Sequence, residues 1–277
     1  MINFNGELLF KENIKLTTDN RGFKYGDGIF ETIKVVHKKV IFWEDHYFRL
    51  MASMRMLRMK IPMEFTLEFL EKEILKTVAV LENGANFRVR LNVFRKDGGL
   101  YTPKTNNIDF IIEVNVNSYQ TKETYSLDVY KDFYNYSGLL STIKTNNRML
   151  NTLASIFASE NDLDNAILLN EKKGVIEATN GNIFIVKGNT IKTPALTEGC
   201  IKGITRGKII EIITKNVDFE VEETSISPFE IQKADEVFIT NAITGIQIVT
   251  NYRKKVFSRV VGDKLSNSLR ILQVLKK

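Results

Sequence analysis

Gly199-Cys200-Ile201-Lys202-Gly203-Ile204-Thr205-Arg206 is a glycine-punctuated loop that runs straight into a helix marked by Ile209, Ile210, Ile212 and Ile213. The start of a helix leaves backbone N–H groups without intrahelical acceptors and carries partial positive charge, so a phosphate or carboxylate suits it. The same residues admit a structural reading, with Gly203 shaping a turn and Thr205 capping the helix. On this segment alone both readings stay open. Working outward, short strand-like runs with turns at Lys173-Gly174 and Gly188-Asn189 precede the loop. Helical spacing over about 205–215 and 264–275 flanks the last strands.

Toward the N-terminus the pattern is mixed. Residues 30–36 and 40–43 read as a hairpin around His37-Lys38-Lys39. From Glu44 the apolar positions Phe48, Leu50, Met51, Met54 and Leu57 fall at helical spacing, and a second helix is expected from about Thr66 to Leu81, stopped by Asn83-Gly84. Strands are expected over 87–94 and 108–116. The pattern lapses into a polar stretch at 119–123, which divides an N-terminal domain, 1–118, from a C-terminal domain, 124–277. A strand over 127–130 and a helix over about 146–159 open the second part. No internal repeat or low-complexity segment interrupts either.

Composition removes several classes of function. The net charge of +6, from 39 basic against 33 acidic residues, is scattered, so it gives little support to a nucleic-acid partner and is compatible with an enzyme that binds small anions. Cys200 is the only cysteine, which rules out an intrachain disulfide and a thiolate-rich metal site and makes a reducing, cytoplasmic setting the expectation. No apolar run approaches the roughly 18 residues of a membrane span, and the first residues lack the layout of a signal peptide. With only His37 and His46, a zinc site would need carboxylates and a Ser-His-Asp triad has two candidate bases. No metal is expected. Chemistry without His or Cys clusters often belongs to an organic cofactor.

Five motifs in fixed order then point one way. They are residues 19–32 (Asp19-Asn20-Arg21-Gly22-Phe23-Lys24-Tyr25-Gly26-Asp27-Gly28-Ile29-Phe30-Glu31-Thr32), His46-Tyr47-Phe48-Arg49-Leu50, Ile143-Lys144-Thr145, the run from Gly174 to Phe184 containing Glu177 and Asn182, and Thr193-Pro194 followed by Gly203-Ile204-Thr205-Arg206. Together they resemble the class IV aminotransferases, the pyridoxal phosphate (PLP) fold type IV family, over nearly the whole chain. The resemblance implies an α+β fold: a smaller N-terminal α/β domain and a larger C-terminal, PLP-binding domain with a barrel-like mixed sheet flanked by helices. It also implies a homodimer, with the active site between the domains and near the partner subunit.

Carried over residue by residue, the resemblance makes Lys144 the Schiff-base lysine that moves a proton between the substrate Cα and the cofactor. Glu177 would face the pyridine nitrogen and keep it protonated. Arg49, on one helix face with His46, would bind the phosphate together with the backbone N–H groups of Ile204 and Thr205, with Asn241 and Ala242 forming a second phosphate-contacting turn. His46 reads as structural support. For the substrate, Phe30 stands where some relatives carry tyrosine, so a carboxylate-binding hydroxyl is missing. Arg88 and Arg90 share a strand face by alternation, and Arg95 matches the family best as the arginine for a substrate carboxylate.

Two reactions fit. Amino transfer between an amino acid and a 2-oxo acid is the family's commonest chemistry. The alternative is 4-amino-4-deoxychorismate lyase, which expels pyruvate and leaves 4-aminobenzoate for folate synthesis. Three features resemble it: Lys144-Thr145-Asn146-Asn147-Arg148, which places Arg148 among the substrate-binding candidates; Thr240-Asn241-Ala242; and Gly98-Gly99-Leu100-Tyr101, where Leu100 replaces that family's arginine. Met149 departs from the tyrosine of branched-chain transaminases, which disfavours that specificity, whereas D-amino-acid transaminases also lack it. A third reading, a non-catalytic binding protein of the same fold, would have to bury Lys144, Glu177 and Arg49 without a use for them.

Overall fold

A computed structural model describes residues 1–81, 84–215 and 217–275. Backbone proximity divides the chain into two compact units, the first built from Met1–Ser118 together with Ile143–Asn147, the second from Tyr119–Thr142 and everything from Arg148 onward. Residues 143–147 lie inside the span read from the sequence as the C-terminal domain. In the structure they pack with the first unit.

The first unit is a six-stranded antiparallel sheet in the order Glu7–Leu9, Ile2–Phe4, Ile108–Val116, Asn86–Arg95, Gly28–Val36, Lys39–Val40. The expected hairpin is present, and its tip uses left-handed backbone at His37 (φ 47°) and Lys38 (φ 63°), the geometry that two-residue hairpin turns require. Its second strand is shorter than expected. Phe42 is itself left-handed at φ 53°, which breaks the extended chain and starts the helix Trp43–Met56. The second helix, Leu67–Val78, begins at Thr66, whose hydroxyl accepts from the Phe69 N–H. Its expected stop, Asn83, lies outside the described residues. Ile33, Val35, Val89, Leu91 and Ile112 face these helices and form a core with Leu50, Met54, Leu70 and Ile74.

The second unit carries two five-stranded sheets of mixed orientation. One runs Glu220–Thr224, Thr190–Pro194, Asn182–Lys187, Glu236–Asn241, Gly245–Val249, and its only parallel pair joins Thr190–Pro194 to Glu220–Thr224. The other runs Lys255–Val256, Asn251–Tyr252, Ser126–Val129, Asn165–Leu169, Val175–Ala178, with parallel pairing on both sides of Ser126–Val129. The expected barrel-like sheet is thus two sheets, linked where Ala178 turns through Gly181 into Asn182. Both contribute to one core, with Leu127, Ile167 and Val175 from one and Ile183, Val237 and Ile239 from the other. The cross-strand partners Phe184 and Phe238 stack with centroids 5.0 Å apart, worth about 1 kcal/mol beyond the area they bury.

Helix boundaries show where local pattern yields to distant partners. The helix expected from Asn146 starts at Met149, because the Asn146 N–H is held by the Gly28 carbonyl at 2.8 Å. The last helix starts at Val260, earlier than its apolar spacing suggests. There the buried Glu236 accepts from the Val261 and Gly262 N–H groups at 3.0 and 2.9 Å, a cap supplied from another strand.

Candidate active site

In the first unit the lysine segment is stitched to the strand Gly28–Val36. The Phe30 N–H donates to the Lys144 carbonyl at 2.9 Å, Ile29 bridges Thr145, and Asn146 closes on Gly28. Gly28 leaves room for this close approach. A Cβ there would stand 2.4 Å from Asn146 Nδ2 and 3.1 Å from the Val93 carbonyl oxygen. Lys144 Nζ lies 4.5 Å from the centroid of the buried Phe30 ring, and Arg90 Cζ lies 3.8 Å from the same centroid. Two cations therefore share one aromatic wall. Asn92 is the cross-strand partner of Phe30, so their side chains share a face. The amide oxygens of Asn92 and Asn146 are buried with no hydrogen-bond partner among the described residues.

Glu31 points to the opposite face of that strand, toward the helix Trp43–Met56. Arg49 donates to it twice, through Nε to Oε1 at 2.8 Å and through Nη2 to Oε2, while His46 Nδ1 donates to Oε2 at 2.7 Å. Glu31 and His46 are almost fully buried. Burial alone would raise the Glu31 carboxyl, but the Arg49 charge and the bonds from His46 and Arg49 outweigh it and hold it at about 2. Burial also pushes the His46 imidazole down, against the pull of Glu31, so it is neutral at pH 7.

Arg95 is held by the protein itself. Its Nε donates to Asp27 Oδ2 at 3.0 Å, Nη2 to the Leu57 carbonyl at 2.7 Å, and Nη1 to Asn106 Oδ1 and the Arg58 carbonyl. All three nitrogens of its guanidinium thus bond to the protein, tying together the Asp27, Leu57–Arg58 and Asn106 loops. Arg90 is the arginine over the Phe30 ring that Lys144 Nζ also approaches. Cross-strand register decides this, and register is invisible in a single strand's sequence. Arg21 holds the loop that contains Leu100, donating to the carbonyls of Gly98, Leu100 and Tyr101. Arg148 directly precedes the helix Met149–Glu160 in the second unit and is half-buried.

In the second unit Ile201 is the hub. Its N–H donates to Glu177 Oε2 at 2.9 Å and its carbonyl accepts from Asn182 Nδ2 at 2.8 Å. Glu177 sits on the fully buried strand Val175–Ala178, which disposes of its reading as an exposed strand charge. Gly203 precedes the helix Ile204–Thr214, whose start has no side-chain cap. A Cβ on Gly203 would fall 2.0 Å from Asn182 Oδ1. Asn182 is the cross-strand partner of Thr240, whose hydroxyl is buried without a partner among the described residues, as is that of Thr244. Asn241 Oδ1 accepts from the Ile243 and Thr244 N–H groups at 3.0 and 2.9 Å, fixing the turn that contains Ala242. An uncapped helix start, an enforced glycine and an orphaned hydroxyl fit the phosphate of PLP. Asn182 and Ile201 were missed as supports. Only the fixed spacing from Glu177 to Asn182 hinted at the first.

Comparison with known proteins agrees. The family model for aminotransferase class IV matches residues 28–252, so the chain belongs to that family, whose members are PLP-dependent enzymes. It is similar to a Methanocaldococcus jannaschii protein assigned as a branched-chain-amino-acid aminotransferase, 31% identical over 95% of this chain and 90% of the relative. It is also similar to the D-alanine aminotransferase of Bacillus licheniformis, 26% identical over 90% and 87%. The crystal structure of 4-amino-4-deoxychorismate lyase from Pseudomonas aeruginosa matches with a TM-score of 0.85 and 25% identity, covering 98% of both chains. The chain is an enzyme with the α+β fold expected, and the reading as a non-catalytic binding protein is set aside.

Proposed function

We propose that the chain is a PLP-dependent aminotransferase that moves an amino group between an amino acid and a 2-oxo acid, with Lys144 as the residue that carries the cofactor and moves the proton. The observation that supports this most is the placement of Lys144: a loop residue tied by backbone bonds to the Gly28–Phe30 strand, its Nζ against a buried aromatic ring. Bound PLP supplies a sink for the electrons freed when a proton leaves the substrate Cα. Lys144 Nζ takes that proton and returns it. Phe30 shields Nζ from water on one side, and Arg90, over the same ring, meets the substrate carboxylate. Glu177, oriented by the Ile201 N–H, keeps the pyridine nitrogen protonated. Arg49, the N–H groups of Ile204 and Thr205, and the Asn241-Ala242 turn hold the phosphate.

The test is chemical. Borohydride treatment of PLP-loaded protein followed by peptide mass analysis is expected to leave a pyridoxyl group on Lys144 and none in Lys144→Ala. Labelling at another lysine would overturn the assignment. A second reading, the lyase, is favoured by Asn147-Arg148 after the lysine and by the Asn241-Ala242 turn. Incubation with aminodeoxychorismate separates the two: aromatic product and pyruvate released without any 2-oxo acid acceptor would replace the transaminase reading. We also propose a homodimer, supported by the exposed Phe23, Leu100 and Tyr101 of the first unit and checked by sedimentation, and a cytoplasmic location, in keeping with the single buried thiol of Cys200.

A further inference from the structure

We propose that Glu31 is a positioning residue for the cofactor phosphate: it clamps Arg49 so that the guanidinium meets the phosphate in one orientation, with His46 bracing the clamp. This rests on the reading of Arg49 as a phosphate ligand. Three donors from one helix converge on both oxygens of a single carboxylate. That carboxylate belongs to a strand paired along its length with Asn86–Arg95, a rigid support. A long arginine side chain loses rotamer entropy when it is fixed. Fixing it before the ligand arrives removes that cost from binding. The pair uses the Nε and Nη2 edge, which sets the direction in which the rest of the guanidinium projects.

The charge balance supports positioning over attraction. With Glu31 ionised and His46 neutral, the three side chains sum to zero, so the carboxylate lowers the field that a phosphate would feel from Arg49 alone. A group that only added attraction would not be acidic. The carboxylate therefore acts through geometry.

The experiment compares PLP with pyridoxal, which lacks the phosphate, by equilibrium titration of the apoprotein, together with the 31P resonance of bound PLP. At metal sites, removing a group that orients a ligating side chain typically costs about ten- to a hundredfold in affinity, and the same scale is taken for Arg49. Glu31→Gln is expected to reduce the preference for PLP over pyridoxal by about that factor and to shift the 31P resonance. Glu31→Asp, which keeps the charge but shortens the reach, is expected to fall between, and serves where Glu31→Gln does not fold. An unchanged preference in both Glu31 variants, while Arg49→Met loses it, would overturn the proposal and leave the phosphate reading intact. An unchanged preference in Arg49→Met would remove the phosphate reading and the proposal with it.

Discussion

The two units hold their buried polar groups by opposite means. In the first, charged side chains do it: Glu31, His46 and Arg49 meet in a buried cluster whose members come from a strand and a helix. In the second, the parts are backbone and uncharged: the start of the Ile204–Thr214 helix, the Ile201 peptide, the Asn182 amide and the Thr240 hydroxyl. A charged cluster is sensitive to pH, because its geometry depends on Glu31 staying ionised. A backbone cradle is indifferent to pH and intolerant of one added methyl. The comparison therefore predicts which perturbation each unit resists.

The largest effect is expected from Gly203→Ala. The new Cβ would sit 2.0 Å from Asn182 Oδ1, so Asn182 or the helix start has to move. PLP affinity should fall about a hundredfold, or about 3 kcal/mol, by titration of the apoprotein. Gly207→Ala, with open space around its would-be Cβ, is the control and should stabilise the helix by up to about 1 kcal/mol. Equal effects of the two would break the account of the cradle.

Acid should act on the first unit. Glu31 titrates at 4.5 without its partners and at about 2 folded, so its contribution is complete above 4.5 and is lost as pH falls toward 2. The difference corresponds to about 3 kcal/mol at about 1.4 kcal/mol per unit. His46, lowered by burial, adds a loss that begins as pH falls below its ordinary 6.5, because the buried imidazole must take up a proton. Trp43, the only tryptophan, is buried in the first unit with its indole N–H on the Leu67 carbonyl, so its fluorescence reports this unit in urea unfolding. Glu31→Gln should flatten the profile below pH 4.5.

Smaller effects sharpen the contrast. Thr240→Val removes a buried hydroxyl that has no partner among the described residues, so stability should rise by about 1 kcal/mol, while PLP affinity falls about tenfold. Opposite signs in thermal unfolding and cofactor titration are the mark of a group held for a ligand. Asn241→Ala removes two bonds to the turn that contains Ala242 and should cost about 1 kcal/mol of stability, with a correspondingly modest loss of cofactor.

What could be read from the sequence divides along the same line. The Gly199–Arg206 loop is contiguous, so its helix start is legible, and Glu177 stands in an apolar run that announces burial. Both helices of the first unit show their spacing. The clamp was not legible, because Glu31 meets His46 and Arg49 across 15 and 18 residues and nothing local marks an acid for a buried ion pair. The different surroundings of Arg95 and Arg90 were illegible for a similar reason. Alternation shows which residues share a face, but only pairing with Gly28–Val36 shows which of them stands over Phe30. The helix start at Met149, in place of Asn146, again reflects a long-range bond, here to Gly28.

The return of Ile143–Asn147 to the first unit bears on how the polypeptide emerges from the ribosome. A nascent chain released as far as Ser118 would hold every strand of the six-stranded sheet and still lack its lysine. The Gly28–Phe30 edge stays unpaired until a further 29 residues, ending at Asn147, have been made. A gene split at the 118/119 boundary would therefore give a first fragment with an open edge, and the segment that closes it would come only with the second piece.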